Sequence, residues 1–373
     1  MGSTPIGHPN MPKKEKLLIL SCSTGSGHFR AAESIRLTCQ NLYPDTQVLH
    51  IDMADYLDEI SRIYVVRFYD FFSVHNPATY KFAYYKTDKE FIQKLFELLA
   101  PIIRLGSKKF IKQINDFQPD AIISTHFLPQ LIFPKNFSTP TSVVITDYHA
   151  HKIWLWPKIR NLFVATDEIK NDLEKLYGLG DKTTVSGIPI HPNFFKEKNT
   201  DKLKKKLNIE NDWPIILIMP ASCGEINAKE AITAIFSYNK NINVVAISGK
   251  NNKKVWSDMK AIKDSGQKNF IILKNSPHVD EWMRIADIVV SKAGGLTISE
   301  VMQLQKPLVV VNPIPGQEDY NATYLEKNHF CLKANSSDDL AKKIQALLLN
   351  PKLIQKKSHP NASEIILKKI FAI

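Results

Sequence analysis

Two stretches of the chain hold residues whose types and spacing could do chemistry. In the first, "SCSTGSGHFRAAESIR" (Ser21 to Arg36), His28 follows Gly25 and Gly27 where the apolar run "LLIL" gives way to an Ala-rich amphipathic segment. Glycines there allow φ > 0 and let backbone N–H groups come close to a ligand. The helix expected after them turns its positive end towards an anion. The spacing G-x-G-x-x-R lacks the third glycine of a dinucleotide fingerprint, and no G-K-[ST] follows, so the stretch is no P-loop. A histidine on such a loop can act as a general base, hold an acceptor hydroxyl, or cap the helix.

The second stretch is "VSKAGGLTISE" (Val290 to Glu300), followed after one more strand by "PIPGQEDYN" (Pro313 to Asn321). A strand ending at Ser291 and a helix beginning near Gly295, with Lys292 beside them and Thr297 in the first turn, would cradle a phosphate. Glu300 lies one turn further on, where a carboxylate could accept from the two hydroxyls of a ribose. Gln317 and Glu318 are expected on a rigid Pro-Gly loop, suited to hydrogen-bonding sugar hydroxyls.

The elements that must position these residues follow from short apolar runs. "LLILS", "QVLHIDM", "DAIISTH", "TSVVITD" and "NLFVATD" in the first half, and "PIILIMPAS", "NVVAISGK", "NFIILKN", "ADIVVSKAGG" and "PLVVVNPIPG" in the second, alternate with helical segments. Runs apolar on both faces are how strands of a covered parallel sheet read. The expected fold class is therefore α/β, with two doubly wound domains and a cleft between them. Polar residues end the first-half strands (Ser21, Asp52, His126, Asp147, Asp167), where open α/β sheets bind ligands. The expected boundaries are a disordered leader over 1–15, with Met11 as an alternative start, and a first domain over 16–190. A linker with a lysine-rich surface helix over 191–212 and a second domain over 213–335 follow. The last segment, 336–373, is expected to be helical and to cross back over the junction.

Composition narrows the class. A chain of 373 residues with 44% hydrophobic residues can build two cores. No apolar run approaches the ~18 residues that span a bilayer, and residues 1–11 lack the apolar region of a signal peptide. The four cysteines (Cys22, Cys39, Cys223, Cys331) are far apart, which argues against a zinc site or a disulfide scaffold and for a cytoplasmic setting. The net charge of +12 suits either a lysine-rich soluble face or a negatively charged partner.

The motif "SKAGGLTISE…KPLVVVNPIPGQEDYNATYLEKN" resembles the donor-binding region of the family 28 glycosyltransferases of the GT-B fold. "VVITDYHAHKIWLWPKIRNLFVATDEIKNDLEKLYG", "VSGIPIHPNF" and the "STGSGH" loop are similar to the branch of diacylglycerol glycosyltransferases and monogalactosyldiacylglycerol synthases. The likeness runs from about residue 16 to 330. It implies a GT-B fold of two Rossmann-like domains, a UDP-sugar donor, an inverting displacement without protein-held metal or tightly bound cofactor, and diacylglycerol as acceptor. By position it implies that Gly294, Gly295 and Thr297 hold the diphosphate, Glu300 the ribose, and Gln317 with Glu318 the donor sugar. Val279 would lie by the uracil, and His28 would bind or deprotonate the acceptor hydroxyl. Asp147, the rival base, and His151 would line the acceptor side. Ser222 and Gly224 would touch phosphate, although their loop, "PASCGEIN", is less glycine-rich than the family's.

Between Arg62 and Ile114 the chain is crowded with Phe and Tyr, and Ile92, Leu95, Phe96, Leu99 and Ile103 fall on one helical face. Such a stripe is most often core. From Lys81 to Lys112 it coincides with eight basic residues against three acidic ones, which suits an interfacial helix on anionic lipid. The resemblance places this part at the inner face of the cell membrane, with the protein peripheral to it. The competing readings are a lipid II-type transferase, a UDP-sugar 2-epimerase, a catalytically dead nucleotide sensor and a nucleic-acid-binding protein. The last is disfavoured because the basic residues are scattered and form no recognition module. The sugar, glucose or galactose, turns on a single hydroxyl that Gln317 or Glu318 could read either way.

Overall fold

The computed structural model describes residues 15–23, 26–58, 103–133, 137–156, 158–219, 226–249 and 252–371. The first domain comprises β1 (Lys16–Ser21), α1 (Ser26–Leu42), β2 (Gln47–Asp52), α2 (Lys108–Phe117), β3 (Ala121–Ser124), α3 (Leu128–Leu131), β4 (Thr141–Val144), β5 (Ile159–Val164), α4 (Asp167–Tyr177) and β6 (Thr183–Val185). The second comprises α5 (Thr200–Lys206), β7 (Ile215–Met219), α6 (Ala228–Tyr238), β8 (Asn243–Ile247), α7 (Lys253–Asp264), β9 (Phe270–Leu273), α8 (Val279–Ile285), β10 (Ile288–Ser291), α9 (Gly295–Gln303), β11 (Leu308–Val311), α10 (Gln317–Lys327) and β12 (Leu332–Ala334). Two further helices, α11 (Ser337–Leu349) and α12 (Ala362–Phe371), follow.

Each domain is built on a six-stranded parallel sheet, in the orders β2-β1-β3-β4-β5-β6 and β12-β11-β10-β7-β8-β9. Helices cover both faces, so Leu17 to Leu20 and Val289 are wholly buried. Helix ends are set locally: Thr166 caps α4 by accepting from the Ile169 N–H, and Gly178 at φ +64° ends it. The α/β class and the pair of Rossmann-like domains are thus as the sequence leads one to expect.

The strand orders decide where a ligand can sit. In the first sheet the chain leaves β1 for β2 on one side and returns to β3 on the other; in the second, β7 and β10 are the corresponding neighbours. A crevice opens at the carboxyl ends of such a strand pair. The first turn of α1, which follows β1, carries His28, the loop after β3 carries Thr125, and the loop after β10 carries Lys292 to Gly294. One apolar cluster runs from the first sheet through Tyr148, Ile188 and Leu296 into the second, so the two carboxyl edges face each other across a packed contact. Helix α12 lies on the first domain: Ile366, Leu367 and Ile370 pack with Leu17, Ile19 and Ile35, and Phe371 stacks on Tyr43 at 4.3 Å.

Candidate active site

Helix α1 brings His28 to the carboxyl end of β1. Asp52, at the end of β2, accepts from the Ser23 N–H at 3.0 Å and from the Ser23 hydroxyl, which ties the residue two places beyond β1 to β2. His28 Nδ1 lies 2.8 Å from the Thr125 carbonyl oxygen and 3.0 Å from Thr146 Oγ1. A carbonyl only accepts, so Nδ1 carries the proton and Nε2 keeps its lone pair. The Thr125 hydroxyl in turn donates to the His28 carbonyl oxygen at 2.9 Å. The His126 ring meets the imidazole edge-on at 4.5 Å, with Trp154 at 6.0 Å. Burial pushes the His28 pKa down to about 4 against the opposing pull of the Thr125 carbonyl, so the ring is neutral at physiological pH.

Gly27 departs from the expectation of positive φ. It lies in the first turn of α1 and is absent from the left-handed region, because the helix begins at Ser26. A Cβ there would meet nothing within 4 Å. Gly25 lies outside the described residues, as do Ser222 and Gly224.

On the facing domain, Gly294 is the N-cap of α9 and supplies no side-chain cap, so the first-turn N–H groups of this helix are not capped from within the motif. Thr297 is half-buried in that turn. Gly295 is required by close approach: a Cβ would press on the Thr146 carbonyl oxygen and come within 3.2 Å of Ile188 Cδ1. Thr146 therefore touches His28 through its hydroxyl and the α9 start through its carbonyl. Lys292 Nζ pairs with Glu318 Oε1 at 2.6 Å, and Glu318 Oε2 accepts from the Ile314 N–H at 2.9 Å. Gln317 and Glu318 stand in the first turn of α10 rather than on a loop, because Gly316 makes the turn at φ +88° and the helix starts at once.

Glu300 is fully buried and ion-paired with Arg30 of α1, instead of standing open to a diol. Its Oε2 is buried without a hydrogen-bond partner. Burial pushes its pKa up to about 7, and the Arg30 charge opposes this. Asp147 does not face a vacant acceptor space. Gln317 Nε2 donates to its Oδ2 at 2.6 Å and Asn321 Nδ2 to its Oδ1 at 3.2 Å. Burial still raises its pKa over the opposing effect of these two bonds. His151 caps the short turn Lys152–Trp154, accepting from the Ile153 N–H at 3.1 Å. Val279 opens α8, where Lys198 of the linker pairs with Asp280 at 2.6 Å and with Glu281 at 3.1 Å.

The structure thus gathers His28, Asp147, Lys292, Gly294, Gly295, Glu300, Gln317 and Glu318 along one interdomain contact. Sequence reasoning missed four of its members: Arg30, Thr146, Tyr148 and Asn321. Tyr148 OH lies 2.9 Å from Ser299 Oγ, and its N–H donates to Asn321 Oδ1 at 2.7 Å. Asn321 was hidden because Gln317, four residues before it, reads as a loop residue; the two share a helical face only once α10 is seen to begin at Gln317. Among the described residues no cluster of His, Cys, Asp and Glu could hold a metal ion.

Of the aromatic, basic segment, residues 62–102 lie outside the described residues, including Ile92, Leu95, Phe96 and Leu99. In the described part, Ile103, Phe110 and Ile114 belong to the core under β1 and β2. Arg104, Leu105, Lys108, Ile111 and Lys112 line a surface groove of about 600 Å³. No described helix is long and apolar enough to cross a membrane.

The chain matches two family models, "Monogalactosyldiacylglycerol (MGDG) synthase" over residues 28–190 and "Glycosyltransferase family 28 C-terminal domain" over residues 222–370. It is similar to the processive diacylglycerol beta-glucosyltransferase of Bacillus licheniformis, with 27% identity covering 96% of this chain and 95% of that one. The protein of the same name from Bacillus subtilis is 25% identical, with 96% of each covered. Among solved structures, UDP-GlcNAc 2-epimerase from Neisseria meningitidis, bound to UDP-GlcNAc, superposes with a TM-score of 0.61 at 15% identity, covering 96% of this chain and all of the other. MurG of Acinetobacter baumannii gives 0.55 at 14% identity over 96% of this chain and all of its own. At such identities these two show the fold alone.

Proposed function

Because the chain belongs to glycosyltransferase family 28, in the branch of diacylglycerol glycosyltransferases and monogalactosyldiacylglycerol synthases, we propose that it transfers a hexose from a UDP-sugar to the hydroxyl of diacylglycerol with inversion, giving a β-glycosyl diacylglycerol. Glucose is the favoured sugar, since the similar Bacillus proteins are named glucosyltransferases. The observation that carries the reading is the placement of Thr146 between the His28 imidazole and the start of α9. A base and an anion site must stand this close for an in-line displacement.

In this mechanism the Nε2 lone pair of neutral His28 takes the proton of the acceptor hydroxyl. The oxygen forms its bond to the anomeric carbon from the face opposite the diphosphate, and the bond from that carbon to the UDP oxygen breaks. The negative charge that develops on the leaving diphosphate is met by the α9 first-turn N–H groups and by Lys292. Asp147 is the weaker candidate for the base, since both its oxygens already accept from amides of the facing domain. It would serve to hold the loop after β4 against α10. Glu300 would meet the ribose once Arg30 yields it, and Gln317 and Glu318 would meet the sugar. Val279 would lie by the uracil, and His151 would shape the acceptor side. Ser222 and Gly224 would add phosphate contacts.

The acceptor is a membrane lipid, so the protein would work as a peripheral protein at the inner face of the cell membrane. Lys108 and Lys112, which line the groove at Leu105, together with the exposed Lys109 between them in the sequence, are suited to anionic headgroups. The test is incubation of the protein with diacylglycerol in anionic vesicles and, in parallel, UDP-glucose or UDP-galactose, with the product's anomeric configuration read by NMR. β-Glucosyl diacylglycerol is the expected product. A galactosyl product would overturn the sugar, an α-linked product the mechanism, and absence of any lipid product the acceptor.

A further inference from the structure

We propose that Asn321 is a positioning residue for the transfer, a single side chain that holds the base-bearing edge of one domain in register with the phosphate-binding edge of the other. The proposal rests on the reading of the site given above. Asn321 sits in the second turn of α10 and is fully buried. Its amide makes three bonds. Nδ2 donates to Asp147 Oδ1 at 3.2 Å and to the Ala293 carbonyl oxygen at 3.0 Å, and Oδ1 accepts from the Tyr148 N–H at 2.7 Å. Two partners belong to the loop after β4 and one to the loop after β10.

What these partners adjoin gives the amide its role. Thr146, next to Asp147, contacts His28 Nδ1 with its hydroxyl and packs its carbonyl on Gly295. Ala293 precedes Gly294, the cap of α9. Asn321 therefore fixes the peptides on either side of the place where base and diphosphate would meet. An asparagine suits this junction because it offers two donors and an acceptor in one plane. An apolar side chain of similar size would leave a peptide N–H, a carbonyl and a carboxylate oxygen without this partner in a dry interface. The contact does not depend on Asn321 alone. Tyr148 OH with Ser299 Oγ at 2.9 Å, the His149 ring on Tyr320 at 3.9 Å and Gln317 on Asp147 remain when the amide is removed. Loss of the amide should therefore leave the domains joined and slightly out of register, which harms the chemical step more than donor binding.

Two variants test this in the full chain, with Asn321→Asp matching the native side chain in size. For Asn321→Ala, kcat should fall by about ten- to a hundredfold, the scale of a sub-ångström to ångström misplacement, while KM for the UDP-sugar changes little. In Asn321→Asp the acceptor towards the Tyr148 N–H is kept, but an oxygen replaces the donor facing Asp147 and the Ala293 carbonyl. A proton shared between the two carboxylates restores the link to Asp147, though not the bond to the Ala293 carbonyl. The other charged or titratable groups acting on Asp147 are Lys292, which is paired with Glu318, and His149. Activity of this variant relative to the native protein should accordingly rise as pH falls. Hydrogen exchange at the Tyr148 amide, which needs no substrate, should quicken in Asn321→Ala. Unchanged exchange would overturn the clasp. Quickened exchange with native kcat, a loss confined to KM, or a flat pH ratio for Asn321→Asp would overturn the positioning role. Absence of transfer by the native protein would sink the functional reading instead, with the exchange result still deciding the clasp.

Discussion

Replacing Gly295 by alanine should impair turnover without abolishing donor binding. The methyl group would be driven onto the Thr146 carbonyl oxygen, at a separation well inside the 3.0 Å below which Cβ contacts are essentially never found, with Ile188 Cδ1 at 3.2 Å on its other side. The obstacle is backbone, so it cannot rotate away as a side chain would. The α9 start and the loop after β4 must therefore part by on the order of 1 Å, a displacement that costs about a hundredfold in rate when reacting groups must be aligned. That is about 2.7 kcal/mol in the barrier. Alanine keeps the N–H of position 295, so the proposed anion site at the start of α9 keeps its donors. The assay is steady-state transfer beside calorimetric titration with UDP. A kcat near the native value, or a loss wholly in UDP affinity, would refute the reasoning that Gly295 is there for the approach of the two domains.

Other consequences follow from the same contacts. Burial lowers the His28 pKa to about 4 from an ordinary 6.5, and the base must be neutral in the free enzyme. The acid limb of kcat/KM should thus fall clearly below pH 6.5, and a half-maximum at or above 6.5 would exclude this histidine. Glu300, raised from 4.5 to about 7, binds its proton more tightly in the folded state than in the unfolded one. It therefore erodes stability as pH rises from about 4.5 to 7, by at most about 3 kcal/mol, and by a constant amount above that. Denaturant unfolding of Glu300→Gln should lack this part of the slope and gain most at pH 8; identical slopes would contradict it. Charge reversal at Lys108, Lys109 and Lys112 should reduce co-sedimentation with anionic vesicles, an effect that salt should also weaken. Unaltered binding would remove this face from membrane contact.

Much of the fold can be read from the chain because covered parallel strands announce themselves as unbroken apolar runs, as "LLIL" and "IVVS" do. The three-residue strands β6 and β12 give too short a pattern to be noticed. The glycine pair after β10 is legible as a helix start, but the reason for Gly295 is not, since Thr146 lies in the other domain. The same distance in sequence hides the Arg30–Glu300 pair. Glu300 reads as an open carboxylate until α1 is seen to cover it. Gln317 and Glu318 read as loop residues because Pro and Gly precede them, yet Gly316 completes the turn and lets α10 begin. Residues with recognisable chemistry were found one at a time; what joins them, Thr146 and Asn321, has ordinary chemistry and acquires its role only from tertiary placement.

The central claim is that His28 acts as the base against a donor held on the opposite domain. It is tested most directly by the single-turnover rate of His28→Ala at saturating UDP-sugar, with UDP affinity measured on the same preparation. The expected result is a rate lowered by about 10²- to 10⁴-fold, the usual contribution of a general base, with native affinity for UDP. A rate within a few-fold of the native protein would contradict it and turn attention to Asp147.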